Sequence, residues 1–382
     1  MEKTINECFF QIQNGANIKQ GDVEGGFPIT RIETTANDKF NRDRMGYAGI
    51  TDISKYEAYV LEDGDLLMSH INSVQYLGRT VLYIKQPDEI IIHGMNLLRL
   101  KARRNIINPA YARYCFYGHT FRCQIGNITK KSVNQASFAV KDLKQIKIEV
   151  PSLDVQNKVV VILDRVQKLI DMRNNELASL DDLIKARFVE MFGNPVINEK
   201  RWRQKSLGEI TTKIGSGATP KGGKGAYQEE GITLIRSMNV HNGLFEYKEL
   251  AHISDEQATK LDNVVIEEND VLLNITGASV ARSCVVPSKI LPARVNQHVC
   301  IIRCKKCINP EFLNKLLIDD NYQDLLWSIA GAGATREAIT KQQVENLQII
   351  MPPIELQIEF MRFCNQVNKS KFAVQKTLEQ TQ

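Results

Sequence analysis

The sequence predicts a mixed α+β protein: two tandem domains of similar fold, each mixed α/β, separated by two long antiparallel coiled-coil helices. Three observations carry this reading. The sequence is written twice, each copy closes on a heptad-patterned stretch, and the short apolar runs between turns have strand composition.

The repeat is visible residue by residue. Ile5, Glu7, Ile12 and Gly15 fall on Leu207, Glu209, Ile214 and Gly217, a shift of 202. Asn108-Pro109 falls on Asn309-Pro310, Asn134-Gln135 on Thr335-Arg336, and the run Gln145 to Pro151 on Asn346 to Pro352, a shift of 201. Ile29-Thr30-Arg31 matches Leu234-Ile235-Arg236, and Gly64-Asp65-Leu66 matches Asn269-Asp270-Val271, a shift of 205, so small loop gaps separate the copies. Solenoid units run ~20–50 residues. A period four times longer describes two copies of a whole domain plus linker, and 382 residues leave each copy room for its own core. The implied division is 1–150 for the first domain, 151–193 for a first long helix, 194–351 for the second domain and 352–382 for a second, shorter helix.

The helices follow from the heptads. With Leu163 as position a, Ile170, Leu177, Ile184 and Met191 recur at sevens, and Val159, Val166, Arg173, Leu180 and Arg187 form the d series. Pro151 suits a helix start and Gly193-Asn194-Pro195 a stop. About 40 residues of helix reach about 60 Å, long for one domain but apt for a spacer. After Met351-Pro352-Pro353 the register returns: Phe360, Val367 and Val374 take d, Cys364 and Leu378 take a. The expected seam sets Val159, Leu163, Val166, Ile170, Leu177, Leu180 and Ile184 against these five, antiparallel, in a pseudo-twofold object. Lys371 interrupts the seam at the position of Ile170, and Gln382 falls about ten residues short of the first helix's extent, so incomplete pairing is expected at that end.

Within the domains, strands are expected at Asp65–Ser69, Thr80–Ile84, Ile90–Ile92, Asn96–Leu100 and Ile146–Val150, and at Asp270–Ile275, Cys284–Val286 and Val299–Arg303. Helices are expected after each Asn-Pro, at Ala110–Tyr117 and Glu311–Ser328, and turn-rich loops at Asn14–Gly26 and Gly215–Gly225.

Chemistry is excluded more readily than found. A net charge of +5 and a pI near 8.6 permit a polyanionic partner without requiring one. No apolar run approaches a membrane span and Met1 to Glu7 lacks a signal-peptide pattern, so a cytoplasmic protein with reduced cysteines is expected. Cys300, Cys304 and Cys307 have a spacing that can hold an iron–sulfur cluster, but the context reads as a buried strand with Cys300, Ile302 and Cys304 on one face. The six histidines form no ligand set, so no metal is expected. The segment Gly215 to Lys224 cannot be threaded as a phosphate loop, no Asn-Pro is followed by Pro and an aromatic, and no catalytic constellation emerges.

Basic and amide side chains do recur in equivalent loops. Asn14 with Lys19 and Gln20 parallels Ser216 with Lys221 and Lys224, and Lys130, Lys131 and Asn134 lie near the place of Thr335 and Arg336. Such residues near glycine turns suit phosphate and base-edge contacts, or simply a solvated loop. Arg31 and Arg236, placed inside strands, suit an internal ion pair equally well.

The run Ile146 to Gln156, its echo Leu347 to Gln357, the long helix after each, and the openings Phe10 to Gln20 and Ile214 to Pro220 together resemble the specificity subunit of type I restriction–modification systems, over essentially the whole chain. The resemblance implies two target-recognition domains, each reading half of a split sequence in double-stranded DNA. It implies helices that dock two methyltransferase (modification) subunits, with a restriction subunit completing the complex. The chain itself is then expected to be non-catalytic, with S-adenosylmethionine, ATP and Mg belonging to its partners. The alternatives are a protein-binding scaffold, a decayed specificity subunit without DNA selectivity, a fused methyltransferase chain or a stand-alone nuclease.

Overall fold

The computed structural model describes residues 1–21, 25–132, 135–220, 222–331 and 337–381, and divides into two compact units, Met1–Leu169 and Ile170–Gln382. Each unit is built on a four-stranded antiparallel sheet. In the first the order is Phe9–Asn14, Leu97–Ala102, Leu66–Ser69, Thr80–Leu82; in the second it is Thr211–Ser216, Val299–Cys304, Val271–Asn274, Ser283–Val285. Even the irregularity repeats: the register slips between Phe9 and Gln11 and again between Thr211 and Lys213.

Alternation along these strands gives each sheet two buried faces. Leu66, Met68, Leu98 and Leu100 pack with the helices after Asn108, while Leu67, Leu97 and Val81 face a smaller cluster on the other side. In the second unit Val271, Leu273, Cys300 and Ile302 face the helices, and Leu272, Cys284, Val299 and Ile301 the opposite cluster. Cys304 packs on the same side as Cys300 and Ile302, as a strand requires, and burial raises both thiols to about 12. Among the described residues no group of three metal-ligating side chains gathers.

The ends of each domain are brought together by a two-stranded pair, Glu2–Thr4 with Lys147–Glu149 and Gln204–Ser206 with Gln348–Ile350. The repeated Glu7 and Glu209 then have one job. Glu7 accepts from Thr4 N (2.7 Å) and Glu209 from Ser206 N (2.8 Å), capping the turn after the strand.

The long helix after each pair is latched by a buried glutamine. Gln156 accepts from Asn108 N (2.8 Å) and donates to Pro151 O (2.8 Å); Gln357 accepts from Asn309 N (2.9 Å) and donates to Pro352 O (2.8 Å). Both glutamines are fully buried. Their amides satisfy backbone groups that the helix starts would otherwise orphan, which accounts for the Pro-x-Leu/Ile-x-x-Gln signature and for Asn-Pro repeating with it.

The helices run Leu153–Phe192 and Ile354–Thr381. Within the second unit they pair antiparallel: Phe188 and Phe192 each meet Phe360 at 5.5 Å, and Lys371 forms an ion pair with Asp181 further back. Ile184, Phe360, Cys364, Val367, Val374 and Leu378 are buried, and Ile170, Leu177 and Leu180 half-buried. In the first unit Val159, Leu163 and Val166 are half-buried. The heptads missed the strongest anchor, an aromatic box in which Phe188 and Phe192 also pack on Phe312 at 6.1 and 5.0 Å.

Two expected elements differ. Glu311–Ser328 is two helices, Pro310–Leu317 and Asp320–Gly331, because Asp319 accepts from Asn321 N (3.0 Å) and restarts the turn. Ile90–Ile92 is no strand; Ile92 makes only single bridges to Ile29 and Val60. Among the described residues no helix is long and apolar enough to cross a membrane.

Candidate nucleic-acid interface

Antiparallel order places four strand ends at one end of each sheet. In the first unit that end gathers Asn14, Asn96, the segment 70–72 and Arg79. Ile71–Asn72 pairs with Ala136–Ser137, which pairs with Lys130–Lys131, so the exposed lysines share a three-stranded sheet with Asn72, the residue that leads into the loop 73–79 with its exposed Val74 and Tyr76. The Arg79 guanidinium is held from two sides, by Asp38 (2.9 Å) and by the Tyr76 ring (4.6 Å).

The second unit assembles the equivalent end from Ser216, Gln297, His298, Thr276 and Arg282. A hydrogen-bond chain crosses it: Thr219 hydroxyl to Gln297 Oε1 (2.5 Å), Gln297 Nε2 to His298 Nε2 (2.8 Å), and His298 Nδ1 to the Thr276 hydroxyl. The segment after 332–336 is tied on through Gly277 N to Glu337 O (2.9 Å) and Ile339 N to Ile275 O (2.8 Å). A shallow cleft of about 390 Å³ opens here, lined by Ser237, Met238, the turn 276–279, Arg282 and His298.

Gly15 and Gly217 make both ends possible. A Cβ on Gly15 would collide with the Gly94 carbonyl and one on Gly217 with that of Val295, so the opening loop can lie against the sheet only as glycine.

The expected contact residues divide. Asn14, Lys19, Lys130 and Lys131 are exposed in the first unit and Ser216 is half-buried in the second. Arg31 and Arg236 are corrected: neither lies inside a strand. Each caps a 3₁₀ turn just after one, because Thr34 Oγ1 and Asn239 Oδ1 accept from their backbone N–H groups at 2.8 and 3.1 Å. Their side chains tie loops together, Arg31 donating to Gln20 Oε1 (2.9 Å) and Gly21 O (2.7 Å), Arg236 donating to Glu249 O and lying over Tyr227 at 5.4 Å. Gln20 is thereby occupied as well. Asn134, Lys221, Thr335 and Arg336 lie outside the described residues, as does the side chain of Lys224 in the turn Gly223–Ala226.

Sequence reading missed Arg79, Arg282 and His298. One signal was available: Gly78-Arg79 falls on Ala281-Arg282, a shift of 203. Gly78 and Ala281 both adopt positive φ, 73° and 70°, and the following arginine carbonyl accepts from Ser69 N or Asn274 N at 2.8 Å in either copy.

Two like domains, each fused to a long helix and each offering a polar sheet end, give the chain two equivalent candidate recognition sites. The pattern of the family described as the type I restriction modification DNA specificity domain matches residues 2–181 and again 199–381, and the chain belongs to that family. It is 29% identical over 378 residues to a chain from Methanocaldococcus jannaschii described as the specificity subunit of the type I restriction enzyme MjaX, covering 93% of this chain and 83% of that one. Its fold is similar to the S subunit of the type I restriction–modification system of M. genitalium, with a TM-score of 0.58 at 12% identity over 100% of this chain and 92% of that one. A chain from a structure of type I complex assembly and conformational transition gives 0.58 at 17% identity, over 100% and 93%.

Proposed function

We propose that this chain is the non-catalytic specificity subunit of a type I restriction–modification enzyme, reading a bipartite double-stranded DNA target. Residues 1–150 take one half-site and 194–351 the other, each through the sheet end described above, and the helices at 151–193 and 352–382 set the gap. What supports the reading is the family pattern occurring twice, each time over a domain with the same polar sheet end.

In the first domain Asn14, Lys19, Lys130, Lys131 and Asn134 are assigned to DNA; in the second, Ser216, Lys221, Lys224, Thr335 and Arg336. Lysines anchor phosphates and amides read base edges. Two modification subunits dock on the helices, and a restriction subunit joins through them. Val155, Ile162 and Leu169, spaced at sevens and 45, 59 and 51% exposed on the first helix, offer an apolar stripe for that contact. S-adenosylmethionine, ATP and Mg act on the partners, in the cytoplasm.

The test is a methylation map. The chain is co-expressed with the methyltransferase encoded beside it and the host genome is sequenced for N6-methyladenine. A split motif with a fixed gap is the expected result. No new methylation from an assembled complex would defeat the proposal in favour of a scaffold or decayed subunit.

A further inference from the structure

The arginines at the two equivalent sheet ends have the same backbone environment and opposite engagement. Arg79 is neutralised by Asp38 at 2.9 Å and covered by Tyr76. Among the described residues Arg282 forms no ion pair, and its guanidinium meets His241 Nδ1 at 3.5 Å. It lines the cleft beside Thr276 and His298, whose rings and hydroxyls are fixed by the Gln297 chain. A half-buried guanidinium with a fixed frame and no counter-ion among the described residues is organised for an external partner carrying paired acceptors.

Resting on the proposed DNA-reading function, we propose that Arg282 is a base-reading residue of the second half-site and that Arg79 is not one in the first. The edge that matches a guanidinium fork in the major groove is guanine, through O6 and N7. The exposed Met238 in the same cleft suits an apolar contact to a neighbouring base. Arg79, already paired, serves to hold the loop 73–79 that presents Asn72 and the lysine strand.

The experiment is the methylation map repeated with Arg282→Ala, Arg282→Lys and Arg79→Ala, each chain in complex with its methyltransferase. Arg282→Ala is expected to leave the first half-site and the gap intact and to relax one G·C position of the second half-site, discrimination there falling about ten- to a hundredfold. The intact first half-site reports that the chain is folded and assembled. Should Arg282→Ala give no methylation, Arg282→Lys decides, because it keeps charge and bulk but loses the fork: a relaxed position supports the inference and an unchanged motif overturns it. Arg79→Ala is expected to leave the motif unchanged, and a relaxed first half-site overturns the contrast. A wild-type complex that writes no split motif refutes the DNA-reading function itself, whereas a wild-type motif that all three variants share refutes only the assignment of Arg282.

Discussion

At the centre of each four-stranded sheet stands a residue with equivalent partners and different chemistry: Arg99, paired with Gln13 and Leu67, and Ile301, paired with Gly215 and Leu272. Arg99 is 1% exposed and donates to the carbonyls of Val60 (2.8 Å) and Ala58 (2.9 Å), with Asp65 at 3.8 Å. His93, also fully buried, stands where the second domain has Val295. Around Ile301 and Val295 the second domain builds one continuous cluster and a three-stranded sheet, Ala251–Ile253, Ile232–Ile235 and Ala293–Val295. The first domain has instead two small clusters and, among the described residues, isolated parallel bridges at Ile29–Ile92 and Ala16–Gly94. At the sheet centre, apolar burial in one copy therefore stands where carbonyls gathered on a guanidinium stand in the other, although the second copy keeps a buried guanidinium of its own at Arg294, which donates to Ala258 O (3.2 Å). Polar cores of this kind are sensitive to the loss of any member, because the groups left behind are buried without partners.

The largest expected effect follows. Arg99→Ala strands two carbonyls and leaves Asp65 without its nearest cation, and should destabilise the first domain by about 3–5 kcal/mol. Both tryptophans, Trp202 and Trp327, lie in the second unit, so their fluorescence follows that unit alone while far-UV circular dichroism follows both. The early loss of dichroism should come without a change in tryptophan emission. A variant whose two signals move together, or not at all, would break the comparison.

Acid should separate the domains next. Burial lowers His93 from the ordinary 6.5 to about 3, and its Nδ1 has no partner among the described residues. The folded domain keeps the ring neutral while the unfolded chain protonates below 6.5, so stability is complete above that pH and declines as pH falls toward 3. At pH 5 the loss is about 2 kcal/mol. Burial lowers His70 too and acts in the same sense, whereas buried Asp65 is raised and opposes it in the carboxylate range. Urea titrations of dichroism and fluorescence at pH 7 and 5 test this: the first domain weakens and the second does not, and His93→Val, the residue of the second copy, flattens most of the difference. An unchanged pH dependence in that variant would remove His93 as the cause.

How much of this was legible depends on which forces leave a local pattern. The glutamine latch was legible because a buried amide serving one backbone N–H and one carbonyl must sit at a fixed distance from its proline, and Gln156 and Gln357 do. The seam at Phe360, Cys364 and Val367 was legible for the same reason, as a period. Phe188 and Phe192 were not, because their partner Phe312 arrives from a separate helix and imposes no heptad. At the sheet ends, Lys130 and Lys131 were legible as basic residues near glycine. Arg282 was not, since nothing local distinguishes it from Arg79; the difference is Asp38, some 40 residues upstream of Arg79 and brought in by the fold. Arg31 misled because its side chain bonds across ten residues to a loop that sequence alone leaves open.

The smallest effect concerns the place where the seam was expected to fail. Lys371 occupies the position that Ile170 holds in the first copy, yet it remains half-exposed and reaches Asp181 of the antiparallel helix. Val367 and Val374, on either side, are buried. A lysine stem can lie along an apolar seam while its ammonium stays wet, so the interruption costs little and the pairing continues past it. The ion pair itself contributes little, because Asp181 is 57% exposed and solvent screens the charge. Lys371→Ala should therefore change stability by less than about 1 kcal/mol and Asp181→Ala by no more, with the double variant near the sum. Lys371→Leu, restoring an apolar residue, should stabilise the second unit slightly, read from tryptophan emission in urea. A loss above about 2 kcal/mol in Lys371→Ala would mean that the lysine is a required member of the seam and that the two copies differ in their helices as deeply as in their cores.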